Sequence, residues 1–523
     1  MSEVSAPIHW RFAIARHARW ARGWLIVLAV VPACAPGGDS SPPASPPATA
    51  AREDAPAQVQ TPAPRRPKAP SRDSIPARAD PPAEEPNEAP KPTVRDGSRP
   101  AAPANPAAPA NPAVPAAAPP REIDEARAKA HGIRKLTGRH LTLFTDLPID
   151  SEVERLPGLF DQAVPQWCRY FGVAEKNADA WRVRGHLMKE KERFVASGLL
   201  PDELPDFVNG YSIANEIWWY DQASAYYRRH LMLHEGTHAF VFTMFGACGP
   251  PWYMEGMAEL LATHALDDGV LRLGEFPSRS EDVPSWGRVR LVRNAVAEAR
   301  RLPLAEVMAY GPRAFLEKEP YGWCWAATAF LDGHPRYRER FRKLPAELRR
   351  QDFNGRVLST FADDGRELNE EWQVFSDGID YGYDLRRNAI EFTPGKPLPA
   401  GGTTVTIRAD RGWQSSGVWL DAGVHYHLEA AGRYPLAAGP PVWWCEPNGV
   451  TIRYWHGRPL GQLLAAVRCD DPDAPNGLLL PSVLGLETEL TPEKSGTLYL
   501  KINDSPAELA DNAGTCDIHV ERK

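Results

Sequence analysis

The chain is 523 residues long, yet its longest apolar run, Trp24 to Val31, is too short to span a bilayer comfortably. An integral membrane protein anchored by helices is therefore excluded for the sequence as read. A strongly basic face is missing too: 60 Lys and Arg against 67 Asp and Glu leave a net charge of -7, which argues against nucleic acid as a partner. Cysteines number only seven, and none shows the paired spacing of a zinc ribbon. The third deficit is local. Residues 35–120 have almost no aromatic or branched apolar side chains, and nearly half of the 53 prolines fall there, with Ala-Asn-Pro and Ala-Ala-Pro near-repeats at the end. A segment with so little to bury stays extended and disordered, and it reads as a stalk.

What precedes the stalk explains why one is needed. Arg11, Arg16, Arg19 and Arg22 lead into the short apolar run, and Val31-Pro32-Ala33-Cys34 resembles a lipobox whose cysteine becomes the lipidated first residue of a bacterial lipoprotein. Residues 1–34 are thus expected to be a lipoprotein-type signal peptide. Pro32 departs from the lipobox, so the expectation is a bacterial cell-envelope protein, lipid-anchored through Cys34 or secreted, whose only tie to a membrane is that lipid.

Length predicts two to four domains, and composition turns globular near residue 121. The stretches His140 to Thr145, Trp181 to Leu187 and Gly210 to Tyr220 alternate as strands, and Ser151 to Phe171 reads as an amphipathic helix. Residues 224–266 then read as two helices joined by a tight break at Gly249-Pro250-Pro251. The first carries His234-Glu235-Gly236-Thr237-His238. Histidines four residues apart lie on one helical face and can grip one ion, while the glutamate beside the first can take a proton from metal-activated water. The apolar residues on both sides, ending at Gly246, give a helix long enough to be buried, where two histidines and a glutamate are costly without a metal or full hydrogen bonding. The pattern points to a zinc hydrolase site. A strand arriving just before this helix is where such an enzyme would pair an extended peptide.

After 266 helices predominate: Trp286 to Arg301, Tyr321 to Asp332, Pro335 to Lys343 and Leu368 to Phe375. From about 396 the pattern changes to short alternating runs between Gly and Pro turns, among them Thr403 to Ile407, Val424 to Leu428, Val450 to Tyr454 and Thr497 to Ile502. These predict an all-β module, a sandwich.

Glu255 follows His238 after 16 intervening residues in the string Trp252-Tyr253-Met254-Glu255-Gly256-Met257-Ala258-Glu259, and this arrangement resembles the gluzincin metallopeptidases, nearest to their peptidase-MA-like and aminopeptidase-N-like groups. The resemblance covers about 125–390. It implies that His234, His238 and Glu255 bind zinc, that Glu235 is the general base, and that Glu259 orients a ligand histidine through its other ring nitrogen. Pro320-Tyr321-Gly322-Trp323 is similar to the segment whose tyrosine donates to the oxyanion, which implies that role for Tyr321. The glycine-rich exopeptidase strand of the aminopeptidases has no counterpart; Tyr211 to Glu216 stands in its place, so specificity for a free amino terminus is not implied. His230, one turn before His234, reads either as a further ligand or as a packed, hydrogen-bonded histidine.

The end of the chain carries a second resemblance. Asn503-Asp504, Glu508 and Asp511-Asn512-Ala513-Gly514 are similar to the calcium loop of the galactose-binding bacterial lectins. This implies calcium on the side chains of Asp504, Asp511 and Asn512 and on the carbonyl of Glu508, with carbohydrate as a candidate partner. Of the cysteines beyond Cys34, three (Cys168, Cys248, Cys324) fall before 396 and three (Cys445, Cys469, Cys516) after it, so each part keeps one unpaired unless a bridge crosses between them.

Together these readings give an α+β chain: a signal peptide at 1–34, a stalk at 35–120, a zincin-like metallopeptidase domain at 121–395 and a lectin-like β-sandwich at 396–523. The expected activity is hydrolysis of peptide bonds in a peptide or protein outside the cytoplasm, with Zn²⁺ and, in the β module, Ca²⁺. The alternative is a glycan-binding surface lipoprotein with a structural or inactive zinc site. Limited proteolysis of the intact protein is expected to cut readily between about 40 and 120 and to leave a resistant fragment starting near 121–135. Protection of the proline-rich segment would refute the stalk.

Overall fold

The computed structural model describes residues 122–437 and 439–523. The export segment with Cys34 and the stalk at 35–120 lie outside the described residues. Within them the protein is a mixed α and β structure.

Five strands form the first sheet: β1 (Arg134–Thr137), β2 (Leu141–Thr145), β3 (Val183–Met188), β4 (Gly210–Ile213) and β5 (Glu216–Tyr220), in the spatial order β1-β2-β3-β5-β4. β2, β3 and β5 are parallel, and β1 and β4 close the two edges antiparallel. Parallel neighbours need long crossovers; the first contains the helix Leu156–Phe171. The expected strand over Gly210 to Tyr220 is a hairpin, because the chain reverses at Ala214, which takes a left-handed φ of 51°. The reversal makes β4 an edge strand.

The HExxH segment lies on the helix Ala225–Phe245, capped by the Ser224 hydroxyl, which accepts from the Tyr227 amide, and closed by Gly246 at a left-handed φ of 69°. Every residue from His230 to Val241 is buried. The helix packs on β4 and β5 and on Leu156–Phe171. At Gly236 the approach is close enough that a Cβ would stand 2.6 Å from Phe160. The chain then breaks at Gly249 and Pro250 and enters the helix Pro251–Ala262 with proline in its first turn, where the missing N–H costs nothing.

That second helix ends four residues before the expected 266. His264–Asp267 and Val270–Leu273 pair as a two-stranded hairpin across Asp268-Gly269, both at positive φ. Asp-Gly between apolar runs is a hairpin signal, and here it overrides the helical periodicity. Later helices fall where expected with shifted ends: Arg288–Ala297, Glu319–Gly333 and Gly365–Gly378. Pro335 to Lys343 keeps only one turn, Arg338–Phe341.

Glu319–Gly333 is buried almost throughout and crosses Pro251–Ala262 closely. The crossing is made possible by Gly256: a Cβ there would meet Thr328 Cγ2 at 2.6 Å and the Cys324 carbonyl oxygen at 2.7 Å. Large aromatics fill the rest of this core, with Trp167, Trp219, Trp252, Trp286, Trp323, Trp325 and Trp372 all fully buried.

From Lys396 onward the chain forms two larger sheets. Asn448–Trp455, Arg458–Cys469, Gly496–Ile502, Gln414–Leu420 and Lys396–Pro397 follow one another in the first, with Ser482–Val483 added to Arg458–Cys469; Glu487–Leu490, Tyr426–Ala431, Thr515–Arg522 and Thr403–Arg408 make the second. Leu463, Leu498 and Leu500 of one meet Leu428, Ile518 and Val520 of the other in a single apolar cluster. The opposite face of the first sheet joins the helical part through Ile390, Trp413, Leu464 and Tyr499. Polar contacts flank this seam: Arg468 bonds Glu370 at 2.6 Å and Glu367 at 3.1 Å. The six described cysteines are all free.

Gly256→Ala is expected to destabilise the protein by about 1–3 kcal/mol, because backbone stands where the methyl must go. Gly158→Ala, on an exposed helical site with nothing within 4 Å of the new Cβ, is expected to be neutral or stabilising. Urea denaturation of the two variants checks the pair.

Candidate metal centre

His234 and His238 face the same way one turn apart, with their rings at 84° and their Nε2 atoms 3.1 Å from each other. The helix Pro251–Ala262 brings Glu255 to both. Its first turn is held by Trp252, whose indole N–H donates to Asn354 Oδ1 at 2.8 Å. Glu255 Oε2 lies 3.2 Å from His234 Nε2 and 3.6 Å from His238 Nε2. Tetrahedral zinc with ligands near 2.05 Å needs donor atoms about 3.3 Å apart. The three edges here, 3.1, 3.2 and 3.6 Å, bracket that value. Glu255 Oε2 is buried and has no hydrogen-bond partner, as expected of an atom whose partner is an ion. Burial pushes the Glu255 carboxyl up, but the facing imidazoles of His238 and His234 outweigh it and hold it at about 2. Two imidazole nitrogens and a carboxylate oxygen are a donor set that zinc accepts, and these residues fit it.

Glu235 is on the same helical turn and also buried. Burial raises its carboxyl to about 8, helped by the charge of Glu255 and opposed by His238. Its Oε2 has no hydrogen-bond partner. The edge strand β4 passes directly over it: a Cβ on Gly210 would stand 2.4 Å from Glu235 Oε1, so any larger residue there would displace the carboxylate.

Glu259, one turn beyond Glu255, sits in a ring of donors. Arg288 grips it with two hydrogen bonds of 2.8 and 3.0 Å, and the Trp286 indole donates at 3.2 Å. His230 Nε2 lies 3.2 Å away and His234 Nδ1 3.5 Å away. Burial raises the Glu259 carboxyl, yet Arg288 and then His230 hold it well below the usual carboxylate range. The carboxylate thus faces the second nitrogen of His234 at long range while being anchored mainly by Arg288. His230 Nδ1–H donates to the Ala262 carbonyl at 3.1 Å, and the ring is buried.

Tyr321 opens the helix Glu319–Gly333, its ring 6.5 Å from that of His234 and packed edge-on against Phe315. Its hydroxyl is buried and has no hydrogen-bond partner. Beside Glu255 a cleft of about 750 Å³ opens between Met254, Phe315, Leu348 and Phe353.

In the β part, Asp504 and Asn512 come together. Asn512 Nδ2 donates to Asp504 Oδ2 at 2.9 Å, and the Ser505 amide donates to Asp504 Oδ1 at 2.7 Å. Burial pushes the Asp504 carboxyl up to about 6. Asn512 Oδ1 is buried with no hydrogen-bond partner. A buried carboxylate beside an orphaned amide oxygen suits a hard cation. Asp511 is exposed, and the Glu508 side chain turns away to pair with Arg453. The side chains of Asp504, Glu508 and Asp511 therefore do not converge on one point as the His234, His238 and Glu255 donors do.

Arg288, Trp286 and Gly210 were not foreseen from the sequence. Arg288 lies 29 residues from Glu259 and Gly210 25 residues before Glu235, and neither pairing has a local spacing signature.

No family model and no curated protein sequence matches the chain. Among solved structures it is similar to one described as "EclA N-terminal domain; PllA-like lectin", at 21% identity over 23% of this chain and 95% of that one, with a TM-score of 0.18. A likeness of that score says nothing further about the chain.

Arg288→Met is expected to cost about 3–5 kcal/mol, since it leaves a buried carboxylate without its cation. Adding Glu259→Gln removes that orphaned charge and should recover part of the loss. A double-mutant cycle by chemical denaturation checks this; strict additivity would show that the two side chains do not act as a pair.

Proposed function

We propose that the chain is an exported zinc metallopeptidase of the gluzincin type, with a zincin-like catalytic part and a β-sandwich module that holds calcium and is a candidate for carbohydrate binding. The observation that carries the proposal is the triangle of His234, His238 and Glu255 donor atoms, buried, spaced for one ion, with Glu235 beside it and Tyr321 across from it. The lipobox-like Val31 to Cys34 and the proline-rich stretch behind it support placement at the bacterial cell envelope.

Bound zinc would supply Lewis acidity at the scissile carbonyl and a water that ionises near neutral pH. The chain's own groups do the rest. Glu235 takes a proton from the attacking water and delivers it to the leaving amine. Its high pKa in the absence of an ion falls when a cation stands beside it, which returns it to the basic form the first step needs. Tyr321, whose hydroxyl has no other partner, donates to the carbonyl oxygen as negative charge gathers there. The edge strand β4 can hold an extended peptide by main-chain pairing, and Gly210 lets that backbone run within reach of Glu235. Glu259, clamped by Arg288, limits the positions His234 can take. The alternative, a glycan-binding surface lipoprotein with an inert zinc site, leaves the unpartnered Tyr321 hydroxyl and Glu235 Oε2 without a purpose. In the β module, Asp504 and the unpartnered Asn512 Oδ1 support calcium.

The roles separate by mutation. Glu255→Ala is expected to lose zinc and activity together. Glu235→Gln should keep zinc while kcat falls about 10²–10⁴-fold, and Tyr321→Phe should keep zinc and cost on the order of 10²-fold in kcat with little change in KM. Metal analysis combined with hydrolysis of a mixed peptide library, with and without chelator, provides the readout. Stoichiometric zinc without turnover of any extended or folded substrate would favour the glycan-binding reading.

A further inference from the structure

A cavity of about 420 Å³ lies at the seam where the β part meets the helix Gly365–Gly378, far along the chain from the histidines. Lys501 lines it, and that residue is out of place. On the strand Gly496–Ile502, Leu498, Leu500 and Ile502 point into the core between the two sheets. Tyr499 and Lys501 therefore point the other way, into the seam, and the seam is apolar: Tyr499, Leu464, Leu478 and Trp413 form one cluster. A leucine or methionine would suit position 501. Instead its ammonium rests over the Trp413 ring, 4.8 Å from the centroid. Among the described residues no carboxylate lies within ion-pair distance of it and no carbonyl accepts from it. Burial drops its pKa to about 8.

The acids that share the cavity have partners other than Lys501, and Asp377 Oδ2 stands 3.9 Å from His456 Nδ1 at the mouth. Asp377 Oδ1 takes two hydrogen bonds from Arg301, at 2.6 and 2.9 Å, and Asp504 is held by Asn512 and the Ser505 amide. At the mouth, the strands Asn448–Trp455 and Arg458–Cys469 are joined by a two-residue turn, His456-Gly457, with φ values of 47° and 74°. Such turns favour Asn and Gly. A histidine held left-handed is the kind of strained residue that clusters at ligand sites, and this one places its imidazole against the half-buried Trp455 ring, 4.9 Å away.

We propose that this cavity binds a small ring compound bearing one carboxylate, with the carboxylate on Lys501 and the ring against Trp455 and His456. A single negative charge is favoured over the near-dianion of a phosphate because Asp377 and Asp504 on the walls offset Lys501 and Arg458. The volume lies within the range of small-molecule sites, about 300–1,000 Å³, and an indole face beside Lys501, with Arg458 held by the Pro481 carbonyl, is enough to orient such a ligand. The site shares no residue with the zinc centre and does not rest on peptide hydrolysis; Asp504, on its wall, is the one residue it has in common with the proposed calcium site.

The full-length protein tests it by titration calorimetry with glucuronate and benzoate, the sugar and the aromatic form of a ring carboxylate. Glucose, benzyl alcohol and inorganic phosphate serve as comparison ligands. Saturable binding of one carboxylate, with its neutral counterpart at least about tenfold weaker, is the expected result, and which acid binds assigns the source. Lys501→Met should weaken that binding about tenfold or more, and so should Trp455→Ala, which leaves the ammonium in place. Without ligand, Lys501→Met should melt at a higher temperature than the parent, because a half-buried ammonium with no ion-pair partner is replaced by an apolar side chain that suits the seam. Absence of binding by both acids, equal binding by the neutral compounds or by phosphate, unchanged affinity in Lys501→Met, or a lower melting temperature for that variant would each overturn the proposal.

Discussion

Three carboxylates, Glu235, Glu255 and Glu259, are buried beside His234 and His238 in the middle of a tryptophan-rich core, and each has to be balanced where it lies. An uncompensated buried charge costs several kcal/mol, a large share of the 5–15 kcal/mol that holds a typical domain together. Glu259 is balanced by Arg288. Glu255 is balanced by the two imidazoles and, in the proposed holo form, by the ion. Glu235 is the one left without a cation of its own, and its raised pKa records that. The register of the two central helices is therefore set by charge compensation as much as by packing: a slip of one residue would separate Glu259 from Arg288 and Glu255 from both histidines.

Close backbone approach does the positioning. Glycines at 210, 236 and 256 each stand where a methyl group has no room. They bring the edge strand onto Glu235, the HExxH helix onto the aromatic layer behind it, and the Glu255 helix onto the helix that carries Tyr321. The β part is fastened to the far side of this assembly through Ile390, Trp413 and Tyr499 and the Arg468 contacts, so it is a neighbour with a shared core rather than a bead on a string.

Much of this was legible in the sequence because it is local. The i, i+4 histidines and the Gly-Pro-Pro break follow from helical geometry, the glutamate in the next helix was implied by the gluzincin resemblance, and the short alternating runs after 396 mark strands by period. What was not legible is what depends on distant segments meeting. No spacing rule ties Glu259 to Arg288, or Gly210 to Glu235. Two local signals were outweighed by stronger ones: the Asp268-Gly269 turn cut the second helix short, and the left-handed Ala214 folded one strand into two. The calcium-loop residues divide for a similar reason. Asp504 and Asn512 are buried just beyond the strand Gly496–Ile502, whereas Arg453, on the strand Asn448–Trp455, claims the Glu508 side chain.

The edge position of β4 carries a liability along with its use. An edge strand accepts any other strand, including one from a second, partly unfolded copy, and long flat edges are where sheets grow into aggregates. Here the edge strand is four residues long, its first two residues are buried, and it ends in a left-handed turn at Ala214. That leaves room for a short stretch of main chain and denies an intruding strand the length it would need to stay.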